Sequence, residues 1–311
     1  MRNMFMGLLA VAGAATALPA LAQEPQPSTA TLEDIVVIAR RSGAPVWRVQ
    51  NGDATVIVVG SLSDVPADTP WRPEALEAAV AKADFVILSQ SATMSLGDFF
   101  RMRRARARLP EGTTTADYLT PDWQARLIGR ERVHGQAYAE RGLTWIAADL
   151  TGDRLRYRPG TGRSAHAVVR SAARRARLPV DEVGNMSGHH VDEAVAVPDA
   201  AQVACLTAAI EANEAGVEAV RARGLAWTRQ DVPAVLSSPV ERARDRCQWF
   251  ADETLINEAR AQWSEAVVDA LGLAGTTMVV APISTVAEAG GLLDQIEARG
   301  LTVVGPLWTA D

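Results

Sequence analysis

Lysine is almost missing from this 311-residue chain: Lys82 is the only one among 31 basic residues, and the rest are arginine. No binding mode requires arginine everywhere, so the bias points to a GC-rich coding sequence and not to a ligand. Acidic residues outnumber basic ones, 37 to 31, for a net charge of −6. A chain of that sign has no overall field for nucleic acid or an anionic membrane surface. The five arginines of Arg101-x-Arg103-Arg104-x-Arg106-x-Arg108 spread over several faces of a helix and read as a solvated surface. Histidine is scarce, with four copies, and cysteine scarcer, with two. There is no His-Glu-x-x-His helix, no Gly-x-Ser-x-Gly elbow, and neither Gly-x-Gly-x-x-Gly nor Gly-x-x-x-x-Gly-Lys. Those absences exclude the common zinc-peptidase, serine-hydrolase, dinucleotide and P-loop signatures. Phe and Tyr are few, and the eight tryptophans are scattered. Each reads as a core or rim anchor; Trp71 is also placed to stack on a ligand.

Past the first residues, no apolar run reaches the roughly 18 residues a membrane span needs, so no stable membrane insertion is expected. The first residues have the form of a cleavable export leader: Met1-Arg2-Asn3, an apolar run from Met4 to Ala17, then Leu18-Pro19-Ala20-Leu21-Ala22. Residues 1–22 are expected to be a signal peptide cleaved after Ala22, leaving a periplasmic or secreted protein. In an oxidising compartment Cys205 and Cys247 are expected to form a disulfide. Residues 23–44 read as a flexible N-terminal segment. Within it, Leu32-Glu33-Asp34-Ile35-Val36-Val37-Ile38 resembles the short motif that engages the TonB energy-coupling protein, a contact expected only weakly; an edge strand is the simpler expectation.

The fold class read from the pattern is α/β, with a central mixed, mostly parallel sheet. Ala54–Val59 is a continuous β-branched run, as in a strand buried on both faces. Pro73–Ala83 follows as a helix and Phe85–Leu88 as the next strand. Near the C-terminus, Thr277–Ala281, a helix over Glu288–Arg299 and Leu301–Val304 repeat that grammar. The sheet is thus assembled from N- and C-terminal βαβ units, giving one domain over 45–311 with a large helical insertion at about 94–275. Ligands in open α/β sheets bind beyond the carboxyl ends of the strands. Three loops qualify: Gly60–Pro66, Ser89-Gln90-Ser91 and Pro282–Thr285.

The order of several short motifs resembles the TraB/GumN family, related to the Tiki metalloproteases. They are Pro45-Val46-Trp47-Arg48-Val49, Val58-Val59-Gly60-Ser61-Leu62-Ser63-x-x-Pro66, Ala83-Asp84-Phe85-Val86-Ile87-Leu88, Arg260-x-x-Trp263, Ala287-Glu288-Ala289-Gly290-Gly291-Leu292-Leu293 and Arg299-Gly300-Leu301-Thr302-Val303. The resemblance implies a metal-dependent hydrolase with two His and one Glu at the strand ends. Here the matching positions are Ser63, Gln90 (or Ser89) and Ser284, and of the family's Arg-Asn pair only Arg260 survives, followed by Ala261. Hydroxyls and an amide are neutral, weak ligands for a transition metal, and none has a pKa suited to general-base work near neutrality. The expectation is therefore a pseudoenzyme with no cofactor and no catalytic residue. It would bind a peptide or small envelope ligand through Ser61, Ser63, Asp64, Gln90, Arg260, Ser284 and Glu288. Asp64 and Glu288 offer oxygen ligands for a weak Ca²⁺ or Mg²⁺ site. The alternative is a divergent hydrolase rebuilt from Asp64, Glu288, Arg260 or His189-His190. His134 and His166 stand alone and read as structural.

Overall fold

The computed structural model describes residues 32–89, 107–152, 162–183, 199–247 and 253–309, together with Gly97 and Leu155. The expected leader, Gln90, the arginine run up to Arg106 and the His189-His190 cluster lie outside the described residues. Among the described residues no helix is long and apolar enough to cross a membrane.

In chain order the elements are α1 (Leu32–Arg40), β1 (Val46–Asn51), β2 (Ala54–Ser61), α2 (Pro73–Val80), β3 (Phe85–Ser89), α3 (Pro121–His134), α4 (Leu143–Thr151), α5 (Ala165–Ala176), β4 (Val180–Val183), α6 (Asp199–Thr228), α7 (Val232–Leu236), α8 (Pro239–Cys247), α9 (Glu253–Ala270), β5 (Gly275–Pro282), α10 (Ile283–Ala287), α11 (Leu292–Ala298) and β6 (Val303–Val304). The six strands lie in the order β4-β3-β5-β2-β1-β6. Neighbours from β4 to β2 are parallel, whereas β1 is antiparallel to both β2 and β6. The chain is therefore α/β with a mixed, mostly parallel sheet.

β2 is buried along its length to Gly60 because helices cover both faces. Contacts link α1 to α2 and α2 to α5, which lies across β2, β3 and β5; α9 to α11 make a second contact layer. Ser164 starts α5 by accepting a bond from the Ala167 amide at 3.2 Å, a side-chain cap. Trp47 is fully buried, donates to the Pro306 carbonyl at 2.8 Å, and lies under Gly60 and Gly305, where any Cβ would press on its ring.

The edge strand expected over 32–38 is instead the first helix. Ile35, Val36 and Ala39 fall on one helical face and are buried, while Val37 is left 47% exposed. Packing of that face overrode the β propensity of the Val-Val-Ile run. Residues 32–40, part of the segment expected to be flexible, thus form a helix packed on the core. The helix expected over Glu288–Arg299 starts only at Leu292; Glu288 sits in the turn between α10 and α11. A strand within the middle of the chain, β4, joins the sheet edge.

A second core of Leu127, Tyr138, Leu143, Ile146, Leu150, Leu206 and Ile210 joins α3, α4 and the first half of α6. Gly216, at φ 69° and ψ −166°, breaks α6, and glycine is suited to that left-handed φ. Its second half then returns to the sheet, where Trp227 belongs to the main core. Cys205 on α6 and Cys247 at the end of α8 form the expected disulfide, with Cα atoms 4.7 Å apart.

Candidate functional site

Because β3, β5 and β2 are parallel neighbours, their carboxyl ends open on the same side. A crevice of about 450 Å³ lies there, lined by Ser61, Ser63 and Asp64 after β2, by Ser89 of β3 and by Pro282 of β5. The fourth wall is the N-terminus of α5, with Arg163, Ser164 and His166.

The loop after β2 takes its shape from the middle of the chain. Arg223 of α6 donates to the Ser63 carbonyl at 2.9 Å and pairs with Glu241 of α8 at 2.7 Å, the two side chains being 0% and 4% exposed. Burial pulls the Arg223 guanidinium below its ordinary pKa, and the Glu241 carboxylate opposes that pull. Trp227 donates its indole N–H to the Gly60 carbonyl at 2.8 Å. Arg244 of α8 pairs with Asp64, which holds a left-handed φ of 51°, a conformation Asp tolerates better than most residues. Gly224 lets α6 come this close: a Cβ there would stand 2.9 Å from the Thr69 hydroxyl oxygen.

His166, expected to be structural, makes bonds of that kind and also lines the crevice. Its backbone N–H donates to the Ser61 hydroxyl oxygen at 3.3 Å. Its Nε2 lies 3.1 Å from the Ser89 carbonyl, which only accepts, so Nε2 carries the proton and the neutral ring's lone pair is on Nδ1. Burial lowers its pKa, Arg170 lowers it further, and the bond to Ser89 opposes both. The ring thus stays neutral at pH values where an ordinary histidine would begin to take up a proton. Nothing near His166 in the chain marks it; the signal was its place in the first turn of a helix whose partner strands could not be named from sequence. His134 instead bonds the Asn213 side chain at 2.9 Å, as a structural histidine would.

The remaining candidates separate. Ser284 is 4% exposed within α10 and does not line the crevice. Glu288 and Arg260 pair at 3.3 Å beside a different crevice. Trp71 packs edge-on against Trp227, with centroids 5.3 Å apart, and is not among the lining residues, which answers the stacking role suggested for it.

The described donors therefore do not fit a transition metal. They bring hydroxyls, one carboxylate held by Arg244 and one imidazole whose Nε2 is committed to a carbonyl. Among the described residues no group of three His, Cys, Asp or Glu is placed to hold a metal ion.

Fold and crevice together describe an α/β protein with a strand-end crevice whose β2 loop is held by inserted helices. A sequence model of the TraB/PrgY/gumN family matches residues 45–304, and the chain belongs to that family. No curated protein and no solved structure matches it.

Proposed function

We propose that this protein is a ligand-binding member of its family, exported by its leader to the periplasm or beyond, and that it holds a peptide or small envelope ligand without hydrolysing it. The disulfide between α6 and α8 supports an oxidising location. The observation that carries the binding reading is the crevice wall itself: Ser61, Ser63 and Ser164 hydroxyls, a neutral His166 and the Arg163 guanidinium around one opening at the strand ends. Such groups donate to and accept from a peptide's amides and carboxylates, yet supply no polarising metal for its hydrolysis.

The test uses purified protein lacking residues 1–22. Metal content is measured, a broad peptidase panel is run, and a peptide library is screened for binding. Expected are no stoichiometric transition metal, no cleavage, and a retained peptide whose affinity falls in Ser63→Ala and His166→Ala. Stoichiometric metal together with cleavage overturns the reading.

One observation favours a second reading, a divergent hydrolase: Ser61, Ser63, Asp64 and His166 line the same crevice. Peptide or ester cleavage that resists chelators and disappears in His166→Ala would establish it in place of the first.

A further inference from the structure

A second crevice, of about 570 Å³, opens between α8, the turn from α10 to α11 and the C-terminal segment at Trp308. We propose that it is a binding site for a neutral sugar ring. Trp308 lines this crevice, partly buried against the main core, with its indole N–H committed to Asp294 at 2.8 Å. The ring is thereby fixed, and the part of it that lines the crevice is apolar carbon. Asp294 is fixed in turn, accepting from the Gly290 amide at 2.8 Å.

The opposite wall carries Asp245 and Glu288, which share a hydrogen bond. Arg260 pairs with Glu288 from behind at 3.3 Å, and Arg246 lines the opening beside Asp245. Asp245, Glu288 and Asp294 stand against Arg242, Arg246 and Arg260, so the formal charges balance to within the proton that Glu288 takes up near neutrality, and neither a multiply charged anion nor a cation is favoured. What the wall presents is a mixture of fixed N–H donors and carboxyl acceptors. A pyranose ring matches both halves of this lining: one apolar C–H face for the indole, and a rim of hydroxyls that each donate and accept. Its volume lies within the range of small-molecule sites. Burial and the neighbouring Asp245 raise Glu288 to about 7, so near neutrality the pair also offers an exchangeable proton to a hydroxyl.

This site is separate from the strand-end crevice, although α8 borders both: Arg244 reaches Asp64 on one side, and Asp245, the next residue, faces the other.

The experiment is an array of neutral oligosaccharides probed with the mature protein, followed by calorimetric titration of the best-retained glycan. A glycan is expected to be retained, with its affinity reduced at least about tenfold by Trp308→Ala and by Glu288→Ala, a loss of about 1.4 kcal/mol. Trp308→Phe, which keeps a ring, is expected to retain most of the binding. Thermal melting of each variant separates loss of the site from loss of the fold, and Glu288→Ala keeps the test decisive if Trp308→Ala does not fold. An array on which no neutral glycan is retained overturns the proposal. So does a retained glycan whose affinity is unchanged in Glu288→Ala or in a folded Trp308→Ala, or retention only of charged glycans.

Discussion

Replacing Arg223 by methionine removes the cation that holds the crevice loop from below. Two groups lose their partner at once: the Glu241 carboxylate, 4% exposed, and the Ser63 carbonyl, bonded at 2.9 Å. Breaking a buried ion pair from one side costs roughly 3–5 kcal/mol, and an orphaned buried acceptor costs about 1–3 kcal/mol. Both losses come from one side chain, so they do not simply add, and about 4–6 kcal/mol is expected for Arg223→Met. The double variant Arg223→Met/Glu241→Met fills the same space without charge and leaves only the Ser63 carbonyl unpaired, for an expected loss of about 1–3 kcal/mol. Its distinctive signature is that two substitutions cost less than one. Urea unfolding reads this as the midpoint at constant slope, and amide exchange at Leu62–Val65 reads the loop. The loop should exchange faster in the double variant than in the wild type, even where global stability is largely recovered. The reasoning is refuted if Arg223→Met costs under about 1 kcal/mol, or if the double variant costs the sum of the two single ones.

Three other outcomes are expected. Reducing Cys205–Cys247, which spans 42 residues, should lower stability by about 4 kcal/mol, read as a shift in urea midpoint with and without dithiothreitol. Glu288 holds its proton more tightly folded than unfolded, with its pKa raised from an ordinary 4.5 to about 7. Burial acts first, then Asp245 and Glu241 of α8, against Arg260 of α9; burial likewise raises Asp245, against Arg260 and Arg246. Its contribution is therefore full below about pH 4.5 and is lost as pH rises through about 7; after discounting for solvent screening it amounts to ~1–2 kcal/mol, and Glu288→Gln should flatten that slope in pH-dependent unfolding. Gly305→Ala would bring a Cβ to 2.3 Å from Trp47 Cδ1, against an indole held by its bond to Pro306. About 1–3 kcal/mol of overpacking is expected, measured as a lower melting temperature.

The strand-end geometry was legible because it depends on local pattern. The β-branched runs at 54–59 and 277–281 and the helix between the first two strands point to parallel strands of one sheet, and parallel strands open on one side; that β5 lies between β2 and β3 was not legible. Ser61, Ser63 and Ser89 follow those runs directly and do share a crevice. The rest of the site was not legible, because its members come from helices whose register no periodicity sets. His166 enters through α5, Arg223 through the second half of a helix broken at Gly216, and Arg244 through α8. The placing of Ser284 and Glu288 failed for a related reason. A short helix, Ile283–Ala287, begins directly after β5, buries Ser284 and carries Glu288 away to the second crevice.

By itself the sequence determined the fold class, the parallel strands that supply the crevice loops and the disulfide partners, because each follows from residue type, local spacing or count, and the order of its short motifs pointed to the family. Only the tertiary structure decided which side chains face one another. Arg223 stands 160 residues from Ser63, and His166 stands 105 from Ser61. Pairs that distant in the chain are brought together by how helices pack on a sheet, and that packing depends on the shape of the whole core.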